Sequence, residues 1–452
     1  MNALARRHGP TIIGCLLVVG LTLTAMAMPG QASPRSEEAI DLQAIIDAAQ
    51  PGSELILDAA AYSGPAIVDK PLTLRGEGTP TVFGGEADTA LTIRAPGVKL
   101  SGLKVVSAKG TAIAVEADDA VIEGTTIEAS GLGIALRDAD RAAIVGNAVY
   151  PVDSGRAASG AAARTGNGID LYDSHDARIE GNEVHGMMDG VYLERSHRAV
   201  VESNRIYRSR YGIHCMYTDG TTIVGNEGEY NVTGAMVMGV RDAVVTGNSF
   251  RKQSGNVHSQ GLLLFDVHTS RVERNTFEGN RVGIYMELSS NNRLESNEVL
   301  RNFVGVQFLE SADNVFTGNL FLSNVIEAQA TDSEGNRLEG NYWDAAQLLD
   351  KDGDGASDLK YAINPFFEKA VDRTPAYQLF FQSPGMTFLS GLFTSDAAEW
   401  SSDAAPLMRP PGSLEAVPQM REEDGRDGIV GWIGISLVLG AAGIIYMGVR
   451  KI

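Results

Sequence analysis

Residues 200–250 read VVESNRIYRSRYGIHCMYTDGTTIVGNEGEYNVTGAMVMGVRDAVVTGNSF. Asn204, Asn226 and Asn248 stand 22 residues apart, and Gly212 and Gly234 keep the same step. Val200-Val201, Ile223-Val224 and Val244-Val245 come just before the Asn turns, and each Gly opens a Gly-aliphatic-x-aliphatic stretch. Short alternation rich in β-branched residues signals strand. Asn and Gly at fixed offsets tolerate left-handed backbone and make local turn hydrogen bonds.

The marks continue in both directions. The Asn column runs Asn147, Asn182, Asn204, Asn226, Asn248, Asn275, Asn297, Asn319, Asn341, in steps of 35, 22, 22, 22, 27, 22, 22 and 22. Weaker copies of the Asn mark sit upstream, with Gly102 and Gly124 at the phase of Gly146, and a separate Gly column runs Gly133, Gly168, Gly190, Gly212, Gly234, Gly261, Gly283, Gly305. A 22-residue unit of short strands cannot bury its own apolar face. Stacked copies can, at the β spacing of about 4.8 Å. A leucine-rich horseshoe is excluded because its Leu consensus and helices are missing. The expected fold is all-β, a right-handed parallel β-helix of roughly a dozen coils from about Leu42 to Tyr342. The two long steps are insertions, near Gly155–Gly166 and Lys252–Gln260, placed at coil corners.

Composition agrees with this. Hydrophobic residues make up 44% and charged ones 21%, and 51 glycines favour a turn-rich chain. The net charge of −20 argues against nucleic acid and suits cations or cationic partners. Arg6, Arg7 and His8 precede an apolar run, Ile12 to about Met28, with small residues near Ala27 and Ala32. That pattern predicts a signal peptide over 1–32 and export. Cys15 does not suit a lipoprotein box, because the apolar run follows it. Its removal leaves Cys215 as the sole thiol, so no internal disulfide is expected. Gly428–Gly448 is apolar and long enough to span a bilayer, with Glu422, Glu423, Asp424 and Asp427 before it and Arg450 and Lys451 after it. The positive-inside rule then leaves the main domain outside the cytoplasm, anchored to the membrane. The expected division is a β-helix over 33–345, an Asp-rich loop and linker over 346–376, a wrapping segment over 377–427, a transmembrane helix over 428–448 and a cytoplasmic tail over 449–452.

Strand alternation assigns faces. One and three residues after each Gly the side chains point inward; two and four residues after, they point outward. The outward rows place His214 and Met216 beside Met236 and Met238 on adjacent coils. Neighbouring coils lie about 4.8 Å apart and alternate residues about 6.7 Å apart, so four such side chains can converge on one ion. Thioether sulfur is a soft donor and selects Cu(I). The same rows would also serve as an apolar patch under a cover, with flexible Met filling gaps. Outward Leu263 and Phe265 next door fit such a cover, supplied by a partner or by the C-terminal segment through Met386 or Met408.

Met187 and His258 share the loop phase before the Gly mark and are candidates for additional copper ligands; His185 and Met188 lie in the same kind of loop. Cys215 points inward by phase. His175, His197 and His268 share one turn position. Past the last coil, Asp350, Asp352, Asp354 and Asp358 sit at positions 1, 3, 5 and 9 of a calcium-type loop with Gly355 at 6. Tyr361 stands where the bidentate Glu would be. A sugar hydrolase or lyase would need paired carboxylates, and Asp170 and Glu194 are outward on neighbouring coils. Between such acids the face holds His and Met, which are wrong for a glycan.

Gly212-Ile213-His214-Cys215-Met216-Tyr217 and Thr233-Gly234-Ala235-Met236-Val237-Met238 resemble strands of the NosD family, exported maturation proteins of nitrous oxide reductase. Gly340-Asn341-Tyr342-Trp343, Val371-Asp372-Arg373 and Ser383-Pro384-Gly385-Met386 are similar to its C-terminal part, and the likeness spans about residues 40–410. The resemblance implies a protein without turnover of its own that works with an ABC transporter permease and ATPase. It implies Cu(I) received from a lipoprotein chaperone and supplied to the reductase's copper–sulfur centre. It maps His214, Met216 and Met238 onto the family's ligand positions; Met236 rests on the row geometry alone. A structural adaptor, docking the reductase on the transporter without touching copper, is the alternative.

Overall fold

The computed structural model describes residues 39–152, 166–364, 366–380, 383–393 and 401–411. The expected leader, most of the Gly155–Gly166 insertion and the apolar run 428–448 lie outside these. Among the described residues no helix is long and apolar enough to cross a membrane.

The chain winds as a parallel β-solenoid through three sheets. A front sheet has 12 strands, from Ala66–Val68 to Ile326–Thr331. A flank sheet has 14, from Ile40–Asp41 to Tyr342–Trp343. A back sheet has 15 and begins at Glu54–Leu57. Each coil adds one strand to each sheet, and the period sets the register. Val191 pairs with Ile213, Ile213 with Ala235, and Ala235 with Leu262. The long steps leave register intact, since Ile134 still pairs with Ile169.

Inward side chains form columns. Ile134, Ile169, Val191, Ile213, Leu262 and Ile284 are all buried, and Phe250 stacks on Phe277 with ring centroids 6.2 Å apart. Burying each such side chain contributes about 1.5–3 kcal/mol.

The Asn column is a buried hydrogen-bond ladder. Asn204 donates its backbone N–H to Asn226 Oδ1 at 2.9 Å, and Asn226 does the same to Asn248. Each Nδ2 donates back to a core-side carbonyl, as Asn226 does to Val201 at 2.8 Å. The residue before each Asn is left-handed: Gly225 has φ 64°, but so do Ser203 at 55° and Arg274 at 52°. A second ladder runs through Asn231, Gln253, Asn280, Asn302 and Asn324.

The Gly column has a separate cause, close approach. A Cβ on Gly190 would lie 2.6 Å from the carbonyl oxygen of Gly212, and one on Gly212 would lie 2.4 Å from that of Gly234. Glu327 takes the next place after Gly305, in the strand where the front sheet ends.

Both ends depart from the coil pattern. Leu42–Ala48 is an α-helix rather than a first coil. Asp41 caps it by accepting the N–H groups of Gln43 and Ala44, and Leu42 and Ile46 are buried against the first coils. Among the described residues no coil precedes it, and this amphipathic turn covers the apolar end of the first coils. At the other end, Ser402–Asp403 runs parallel to Arg337–Glu339 and antiparallel to Tyr361–Ala362. Asp403 occupies the next rung of the Asn ladder. Its Oδ2 accepts the N–H and Nδ2–H of Asn341, both at 2.9 Å, and Trp343 Nε1–H at 3.0 Å.

The segment around Met408 is therefore placed differently from the expected cover. Met408 donates its N–H to Gly355, and its neighbour Leu407 bonds Asn341, so this stretch closes the solenoid's end. Six strand steps separate Asp403 from Thr222–Val224, the back-sheet strand of the His214 coil, about 29 Å at the usual spacing. Met386 lies on the helix Pro384–Leu392, which packs on Phe366–Arg373.

Candidate metal centre

The front-sheet strands Asp189–Glu194, Tyr211–Met216, Thr233–Arg241 and Gln260–His268 run side by side. Their register puts His214 opposite Met236 and Met216 opposite Met238. On one side these rows continue into Tyr192 and Glu194, on the other into Leu263 and Phe265.

The rows face out but are less exposed than alternation alone suggests. His214 is only 5% exposed, and the three Met side chains are half-buried. Two tyrosines account for the histidine. Tyr192 and Tyr211 meet its ring edge-on, with centroids 5.0 and 4.7 Å away. Tyr192 donates to Glu194 Oε2 at 2.7 Å, and its oxygen lies 3.4 Å from Met216 Sδ. Burial, and then the Glu194 carboxylate, push the Tyr192 phenol well above its ordinary pKa, so it stays protonated.

Asp189 completes the site, and the periodicity did not single it out. It is fully buried and lies 2.9 Å from His214 Nδ1. Arg210 grips the same carboxylate by donating through Nε and Nη2, at 2.9 and 2.7 Å. Burial works to raise this carboxyl's pKa, but the hydrogen bonds from His214 and Arg210 outweigh it and leave the pKa below the usual value. Asp189 is therefore an anion and His214 Nδ1 carries the proton toward it. His214 Nε2 is buried and without a hydrogen-bond partner, and in the neutral ring it is the nitrogen that carries the lone pair. A buried acceptor left unpaired is costly. A signal was available in the sequence: the residue before the Gly mark is Tyr211, Thr233 and Gln260 in the following coils, so an acid at 189 breaks the column.

The donor set suits a soft monovalent ion. One neutral imidazole nitrogen and thioethers on two rungs match Cu(I) better than a hard divalent cation.

The other candidates fall elsewhere. Met187 is fully buried in the core, so it stands apart from the outer rows; the loop phase before Gly190 turns inward there. His258 is exposed, in the loop that carries the second insertion beside Val257. Cys215 is buried in the core, and burial pushes its thiol up to about 12. His185 faces Tyr150 and Arg208. His175 and His197 stack at 5.2 Å, and each accepts a backbone N–H from the next coil through Nδ1. Those histidines are turn ladder residues.

Asp350, Asp352 and Asp358 bring carboxylate oxygens within 4.8 Å of one another, a set able to hold a metal. Asp354 lies outside that set and accepts the Ala356 N–H at 2.8 Å. The acids considered for glycan chemistry are already engaged. Asp170 is paired with Arg137 at 2.6 Å and accepts from Asn167, and Glu194 is held by Tyr192.

These rows lie inside a stretch with known relatives. Residues 152–349 match the family described as "Periplasmic copper-binding protein (NosD)". The match covers the coils with His214 and the Met rows. NosD is named for copper binding, not for an enzyme activity. No curated protein matches the chain. Among solved structures, the A-module of mannuronan C-5 epimerase AlgE6 from Azotobacter vinelandii aligns with a TM-score of 0.54 at 14% identity, covering 67% of this chain and 95% of that one. A DFA-IIIase from Arthrobacter chlorophenolicus A6 aligns at 0.44 and 13%, covering 70% and 94%. At such identity the first likeness speaks for the solenoid fold alone.

Proposed function

We propose that this chain is an exported copper carrier, which takes up Cu(I) at His214, Met216, Met236 and Met238 and hands it on for maturation of the nitrous oxide reductase copper centre. The observation that carries this reading is the buried, unpartnered Nε2 of His214, with Met236 and Met238 on the next rung and Met216 on its own strand. Copper here is cargo. Asp189 and Arg210 hold the imidazole, the thioethers supply soft donors, and Tyr192 and Tyr211 keep water from the ring. Thioether donors bind Cu(I) without proton loss, and the imidazole binds through the lone pair of its neutral ring.

The reading includes the partners the NosD family implies: a lipoprotein chaperone as donor, an ABC transporter permease and ATPase, and the reductase as acceptor. It also includes a right-handed winding, periplasmic residence and a membrane anchor over 428–448. Calcium at the Asp350 loop belongs to it as a structural ion near the solenoid's end.

The test is anaerobic Cu(I) titration of the full chain against a competing chelator. Tight one-to-one binding that is lost in His214→Ala and in the Met216→Ile/Met238→Ile double variant is the expected result. No binding by the wild-type chain would overturn the carrier. It would favour the adaptor, for which half-buried Met, Leu263 and Phe265 are a protein-docking surface.

A further inference from the structure

We infer that Asp189, fixed by Arg210, is the positioning residue of the copper site: it sets the His214 tautomer so that Nε2 is the ligand atom before any metal arrives. This rests on the carrier reading and adds the ligating atom and its cause.

The geometry leaves little freedom. Asp189 Oδ1 accepts from Arg210 Nε at 2.9 Å and from the Tyr211 backbone N–H at 3.4 Å. Its Oδ2 accepts from Arg210 at 2.7 Å and lies 2.9 Å from His214 Nδ1. A carboxylate met by an obligatory donor on each oxygen acts as an acceptor, so the imidazole must donate. A neutral histidine that donates through Nδ1 has its lone pair on Nε2. That atom is the one buried without a partner. A histidine that binds metal usually gives its other N–H to a carboxylate or carbonyl, which fixes the ring and raises the basicity of the ligating nitrogen. Asp189 is itself anchored, since its N–H reaches Asn167 Oδ1 at 3.2 Å and Arg210 lies over the Tyr211 ring at 4.6 Å. The support spans three coils, while the ligands sit on two.

Two readouts test this. The first needs no copper: 15N-histidine NMR of the metal-free chain, with the His214 signal assigned by its loss in His214→Ala. The expected spectrum is the Nδ1–H tautomer. In Asp189→Asn, which keeps the side chain's shape and retains an acceptor, the expected change is a shift toward the Nε2–H form. The second is Cu(I) affinity, expected to fall about 10–100-fold in Asp189→Asn and further in Asp189→Ala. Asp189→Ala leaves Arg210 without its partner and could unfold the coil, so Asp189→Asn decides. An Nε2–H tautomer in the wild-type chain would overturn the inference. So would an Asp189→Asn chain that binds Cu(I) as tightly as wild type, with the His214→Ala control still defective; the site would then stand without its positioning residue. A wild-type chain that binds no Cu(I) overturns carrier and positioning role together.

Discussion

Two columns of polar side chains run along this solenoid and are treated in opposite ways. In the Asn column every rung answers the next: Asn248 Oδ1 accepts from Asn226, and Asn248 Nδ2 donates to Ile223 and Asn275, all at 2.9 Å. On the front face the column through Tyr192, His214 and Met236 stops answering at His214, whose Nε2 is buried and unmatched. The first column stabilises the fold through complete satisfaction. The second keeps one lone pair free, held in place by a fully engaged Asp189. An unsatisfied buried group in a native fold calls for a specific explanation, and a bound ion is one.

The contrast can be broken from either side. Asn248→Ala should produce the largest loss of stability, on the order of 4 kcal/mol, because it strands Asn226 N–H and the Ile223 carbonyl in the core. A urea midpoint close to wild type would show that the ladder is dispensable. His214→Ala should do the reverse. It should abolish Cu(I) binding while costing less stability than Asn248→Ala, since an unpaired nitrogen is removed and Asp189 keeps both of its Arg210 hydrogen bonds. A large destabilisation would instead make His214 a core residue.

A third test concerns Glu327, another buried side chain with an unpartnered polar atom. Burial, then the neighbouring Asp344 carboxylate, push its pKa up to about 9. The folded state therefore holds a proton that the unfolded chain releases near the ordinary glutamate value of about 4.3. Its contribution is complete below the unfolded value and is lost as pH rises through about 9. Hydrogen exchange around Trp343 should accelerate from pH 6 to 9 beyond the intrinsic base-catalysed rate, and Glu327→Gln should flatten that excess. An excess unchanged in Glu327→Gln would assign it to another group. The smallest effect is expected at the Asp350 loop, where added Ca²⁺ should slow local proteolysis modestly and Asp358→Asn should cancel the protection. Protection surviving that change would move the ion elsewhere.

Much of this was legible because a repeat states each requirement many times. The steps of 22 marked the strands, and the same register placed His214 beside Met236 and Met216 beside Met238. What periodicity hides is the single departure. Asp189 lies 25 residues before His214 in sequence and reaches it diagonally across one coil step, so neither residue marks the other in a linear reading. Met187 shares its loop phase with His258, yet one is in the core and the other in the insertion loop. The ends were hidden for a related reason. Leu42–Ala48 and Asp403 sit where the described coils end, and each does its work once, which leaves no repeat to read.

The glycine column makes the solenoid's length a matter of grammar. From Gly133 to Gly305 the next coil's carbonyl oxygen stands within 2.7 Å of where a Cβ would be, and upstream the same column carries Ala90 and Ala112. Glu327, at the phase of Gly305 but one coil later, is thus a full stop. A coil duplicated upstream of it inherits the open spelling and can be read through. A coil appended beyond it would first have to rewrite that one letter to glycine, or to the alanine that Ala90 and Ala112 show the column can carry.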